Sequence, residues 1–142
     1  MDQDARRRLE DVLDREIAAA RTLAATLAAE RTALTGDTPG SIQAKAAEKV
    51  QIFSAIEQLE AERRSLWTVL GSGSAATIAE RWRTLMELMQ DCRTENEVNG
   101  HIIRVRQHQV GQLIDIVRGG PAITYGPQGK TFAKAQRALA RA

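Results

Sequence analysis

The 142-residue chain has one cysteine, three prolines and only 4% aromatic residues. A single thiol, Cys92, excludes an internal disulfide framework and any multi-cysteine zinc site. So few aromatics argue against a β-sandwich core. No run of eighteen apolar residues occurs, so no transmembrane helix is expected. The opening Met1-Asp2-Gln3-Asp4 is acidic and polar, without secretory-signal character. Neither sign of charge dominates: the formal net charge is +2, which by itself names no partner. What the chain does have is Ala, Leu, Arg, Glu and Gln in abundance, all strong helix formers. These features predict one soluble, cytoplasmic, largely helical protein.

Three long helices are expected. The first spans roughly Gln3 to Leu34, where Leu9, Leu13, Ile17, Ala20, Leu23, Leu27 and Leu34 recur mostly at steps of three and four. Gly36 to Ser41 then breaks the pattern with turn residues. Thr38 before Pro39 is one candidate cap for the next helix and Ser41 the other. The second helix runs to about Leu70, with a stripe of Ile52, Ile56, Leu59, Leu66 and Leu70. Arg63 falls in the slot between Leu59 and Leu66 and weakens that stripe. Gly71-Ser72-Gly73-Ser74 is a flexible connector.

The third helix carries the clearest signal. Thr77 and Glu80 fit a capping box. From Ile78 the steps alternate four and three through Trp82, Leu85, Met89, Cys92, Asn96, Asn99, Ile103, Arg106, Val110, Leu113 and Val117. Sustained 3.5-residue spacing predicts a coiled-coil-like seam. Gly119-Gly120-Pro121 ends it. A helix of about 40 residues is roughly 60 Å long, and the first two, about 30 residues each, reach only ~45 Å. The expected fold is therefore all-α: an elongated antiparallel bundle of three long helices over residues 1–118, with one end of the third uncovered. A flexible docking tail follows over 119–142, with room for a short helix. An uncovered apolar surface of this kind is expected to bind a partner, itself included.

Several residues carry two readings from spacing alone. Asn96 and Asn99 on the seam either fix register or mark a recognition or bending point. Gly100 and Gly111 inside the helix suggest close backbone approach or required pliancy. Cys92 on the seam reads as a small buried hydrophobe rather than a redox centre. His101 and His108, seven residues apart, are too far separated along one helix to share a metal. There is no phosphate loop, nucleophile elbow or zincin motif, so no catalytic, metal or cofactor residue is assigned. In the tail, Tyr125 within Tyr125-Gly126-Pro127 either acts as a linear docking anchor or folds back on the bundle. Lys130, Lys134, Arg137 and Arg141 form too small a basic patch to predict nucleic-acid binding or stable membrane insertion.

The run Asp91 to Ile103, with Asn96, Asn99, Gly100 and Ile103 in place, resembles the N-x-x-N-G-x-x-I core of the FlgN-type flagellar export chaperones. Thr124-Tyr125-Gly126-Pro127-Gln128-Gly129 resembles the downstream tyrosine-glycine motif of that family. The resemblance implies a non-enzymatic cytosolic chaperone for hook-filament junction proteins, the hook-associated proteins. It implies that the chaperone holds the client's C-terminal helical part, prevents premature assembly and delivers the client to the cytoplasmic domain of the flagellar export gate. Tyr125, Gly126 and Pro127 would then serve gate docking. An amphipathic client segment needs an apolar groove, and Ile103, Val110, Leu113, Ile114 and Val117 offer one. A homodimer of the unloaded chaperone fits the same surface. The competing reading is a structural coiled-coil or adaptor protein that homodimerises along the third helix.

Overall fold

The computed structural model describes residues 2–36, 39–71 and 75–119. Among the described residues there are three helices: α1 Asp2–Gly36, α2 Pro39–Leu70 and α3 Ala76–Val117. No strand occurs among the described residues. The chain divides into a unit Met1–Glu97 and a second that begins at Val98. Tyr125, Gly126 and Pro127, expected to dock at the gate, and the basic tail lie outside the described residues.

Local chemistry sets the helix ends. Pro39 is the first residue of α2, a position where the missing N–H costs nothing and the fixed φ suits the helix. Ser41 therefore lies inside the first turn rather than capping it, and Thr38 is outside the described residues. Gly71 ends α2 in a left-handed conformation (φ 68°), its N–H donating to the Trp67 carbonyl at 3.1 Å. That conformation is nearly free for glycine and strained for other residues. Gly119, at φ 74°, follows α3.

The expected capping box at Thr77 does not form. α3 starts one residue earlier, and the Ala75 carbonyl accepts from the Ile78 and Ala79 amides at 3.0 and 3.1 Å. The Thr77 hydroxyl instead donates to Glu10 Oε1 at 2.8 Å. A hydroxyl bonded to a carboxylate is stronger than one bonded to a neutral group, so the interhelical acceptor competes well with local capping.

Within Met1–Glu97 the helices pack up, down and up. Arg63 of α2 meets Glu16 of α1, and Lys49 meets Glu30. Going forward along α1 is thus going backward along α2. Against α3 the order is parallel: Glu10 meets Thr77, Asp14 meets Arg81 at 2.8 Å, and Arg31 meets Glu95 at 2.6 Å. Consecutive helices are antiparallel, as the periodicity predicts. The core holds Leu9, Val12, Leu13, Ile17 and Ala20 with Leu59, Leu66, Ile78 and Leu85, and a second cluster of Leu23, Leu27, Ile56 and Cys92. Ala20 is small enough for the Cys92 thiol to reach its carbonyl at 3.5 Å.

Two carboxylates are also buried on α1. Glu16 and Glu30 occupy the same seven-residue series as Leu9 and Leu23, and all four are at most 2% exposed. The facing series on α2 is Lys49, Ile56, Arg63 and Leu70. Opposite residues therefore alternate along the α1–α2 contact: Leu9 with Leu70, Glu16 with Arg63, Leu23 with Ile56, Glu30 with Lys49. Each ionic layer has a third member from α3. The Arg63 guanidinium lies 4.6 Å over the Trp82 ring. The Lys49 ammonium donates to Asn96 Oδ1 at 3.0 Å as well as to Glu30.

Candidate functional site

The sequence-derived contact residues lie on the second unit. There α3 presents Val110, Leu113, Ile114 and Val117 to solvent, with exposures from 44% at Ile114 to 85% at Val117. Ile103 is half-buried. At 100° per residue these five positions share one face of the helix. Sequence periodicity misses a second group: Val98, Val105 and Ile116 are also exposed, and they lie on the far side of the helix from Ile103. Aliphatic residues are thus exposed on two sides of this segment, with Arg104, His108, Gln112 and Asp115 between them. The missed signal was available: Val98 and Val105 are seven residues apart, off the main seam.

The motif residues have distinct surroundings. Asn96 belongs to the first unit, where its side-chain oxygen accepts from Lys49. Asn99 is fully buried. Gly100 is not held open by a close neighbour. A Cβ there would meet only Arg104 Nη1, at 3.4 Å, the end of a flexible side chain. Among the described residues, then, Gly100 marks no close backbone approach. Gln107 carries a buried side-chain oxygen without a hydrogen-bond partner. It falls between Ile103 and Val110 on the apolar face.

Elsewhere the titratable groups are occupied structurally. Burial pushes the Glu16 carboxyl above its ordinary range, and the attraction and hydrogen bonds of Arg63 offset this only partly. Burial likewise raises the Cys92 thiol, assisted by the negative charges of Asp91 and Glu95. Such a thiol stays protonated and unreactive at neutral pH. The Trp67 and Trp82 rings lie 5.5 Å apart, tilted at 56° to one another. With Arg63, Arg64 and Thr68 they line an open depression of about 550 Å³. Among the described residues no group of three His, Cys, Asp or Glu side chains is placed to hold a metal ion, and no helix is long and apolar enough to cross a membrane.

The family model described as FlgN protein matches residues 1–132, nearly the whole chain. The chain belongs to the FlgN family. No curated protein and no solved structure matches it. The FlgN family is a family of flagellar export chaperones.

Proposed function

We propose that this FlgN-family chaperone binds the C-terminal helical region of a hook-filament junction protein through Ile103, Val110, Leu113, Ile114 and Val117. The observation that carries this reading is the solvent exposure of the aliphatic residues along α3 after Val98. An amphipathic client helix laid on that face buries its own apolar stripe and cannot assemble prematurely. Tyr125, Gly126 and Pro127 then serve docking at the cytoplasmic domain of the export gate, and the protein works in the cytoplasm. The unloaded chaperone pairs with a second copy through the same aliphatic face, so that client and copy compete for it.

The test is Leu113→Asp with Val117→Asp. Affinity for the hook-associated client should fall at least tenfold, because each carboxylate would have to be desolvated without a partner. The helical circular dichroism signal should be unchanged. Unchanged affinity would refute the assigned face. Tyr125→Ala should retain client binding and lower secretion of the client. Normal secretion with this variant would rule out the docking role.

A further inference from the structure

The α1–α2 contact holds more charge than stability requires. Buried ion pairs are no better than well-packed aliphatics at stabilising a fold, and replacing them by aliphatics is often neutral or favourable. Yet Glu16–Arg63 and Glu30–Lys49 sit in the core at 3.0 Å each, two heptads apart, with an aliphatic layer between them. We propose that the two ionic layers are a pairing code. They allow α1 to pack only on α2, in one register, and they bar α1 and α2 from pairing with their own counterparts in a second copy.

The alternation makes the code selective. A slip of α2 by one heptad in one direction places Glu16 against Ile56 and Glu30 against Ile42, with Arg63 against Leu9 and Lys49 against Leu23. In the other direction Glu16 meets Leu70, Glu30 meets Ile56 and Arg63 meets Leu23. Every one of these charges would face an aliphatic residue, and an unpaired buried charge is strongly disfavoured. A slip of two heptads restores one ion pair and loses the other, together with four turns of overlap. Self-pairing is barred in both directions. Two α1 helices side by side place Glu16 on Glu16 and Glu30 on Glu30 when parallel, and Glu16 on Glu30 when antiparallel. Two α2 helices bring Lys49 and Arg63 together in the same way. Like charges in apposition at buried positions provide the repulsive half of specificity.

The charges alone would accept a parallel α1–α2 pair, since Glu16 with Lys49 and Glu30 with Arg63 share one spacing. Two further features remove that option. Only Asp37 and Thr38 separate Gly36 from Pro39, too short a link for α2 to run parallel beside the α1 of its own chain, whereas exchange between two chains opens that link. The third members also differ: Trp82 offers an aromatic face that suits a planar guanidinium, whereas Asn96 offers a carbonyl oxygen that suits an ammonium. Asn96 is thereby a register residue of the bundle, acting through Lys49. The code leaves α3 as the surface through which a second copy or a client can approach.

The experiment exchanges the charges. Glu16→Lys with Glu30→Lys makes both sides basic, and Lys49→Glu with Arg63→Glu makes both sides acidic. Each double variant alone should lose its cooperative thermal transition. Mixed in equal amounts, the two should recover helicity as a heterodimer in which each α1 pairs with the other chain's α2, seen as a new species by native mass spectrometry. All four changes in one chain should restore the transition without any partner. A third variant, Glu16→Leu, Glu30→Leu, Lys49→Leu and Arg63→Leu, should melt at or above the wild-type temperature but spread over several oligomeric masses. The proposal is overturned if either double variant melts like the wild type, if the mixture gives no heterodimer, or if the four-leucine variant keeps the wild-type mass distribution.

Discussion

Along the first unit the seven-residue series of α3 runs Ile78, Leu85 and Cys92, and each member is at most 3% exposed. In the second unit the same series reaches Leu113, which is 61% exposed. One helix and one period serve both regions, but the residues that interrupt the aliphatics differ. In the first unit the interruptions are charges matched across helices: Glu16, Glu30, Lys49 and Arg63. In the second they are Arg106 and Gln107 among exposed valines, leucine and isoleucines. A heptad pattern therefore states that a face will be covered. It does not state whether the cover comes from the same chain, and the matched charges are what mark the intramolecular part.

Five substitutions test that contrast. The largest effect is expected from Arg63→Ala, which leaves Glu16 buried without its cation. Breaking such a pair costs about 3–5 kcal/mol, to be measured by urea unfolding at neutral pH. The deficit should shrink as pH falls, because the raised Glu16 carboxyl then takes up a proton and no longer needs a partner. Next come two leucines to be compared directly. Leu13→Ala, at a fully buried site, should cost about 2–5 kcal/mol, whereas Leu113→Ala should stay within about 0.5 kcal/mol. Equal costs would abolish the distinction between the regions.

Gly100→Ala is expected to raise stability by about 0.5–1 kcal/mol, since a helical glycine is entropically costly and the added methyl meets only the tip of Arg104. If the same variant weakens client binding, the glycine serves the client rather than the fold. The smallest effect concerns Glu10, whose carboxyl is held below its ordinary range first by the Thr77 hydroxyl and then by Arg81 and Arg6. A depressed carboxylate contributes stability that is present above its unfolded pKa and lost as pH falls through the folded value. Glu10→Gln should thus lower the melting temperature slightly near neutral pH and make no difference in strong acid. Glu16, raised by burial, acts with the opposite sign: its share is present below its unfolded pKa and lost as pH rises through the folded one.

Helix number, helix ends within two residues, antiparallel order and the burial of Cys92 were all legible in the sequence, because they follow from period, turn residues and composition. The charged core was not. The burial of Glu16 and Glu30 depends on a cation facing each of them, and that depends on the register of another helix. Arg63 reads as a flaw in the α2 stripe, although it is the residue that joins Glu16 to Trp82. Thr77 shows the same limit at a helix end, where a tertiary acceptor on Glu10 overrides the local cap. For the candidate site, periodicity finds Val110, Leu113, Ile114 and Val117. It passes over Val105 and Ile116, because a helix with aliphatics on two faces has no single stripe to detect.

The lone cysteine offers a view of the bundle from inside. The Cys92 thiol is sealed between helices, its hydrogen directed to the Ala20 carbonyl of α1. An aqueous alkylating reagent reaches it only when α1 and α3 part, and no other thiol in the chain competes for the label. The rate of its modification thus clocks the breathing of the closed half of the molecule. The exposed half of α3, free of sulfur, can be crowded, loaded or emptied during that reading without being labelled itself.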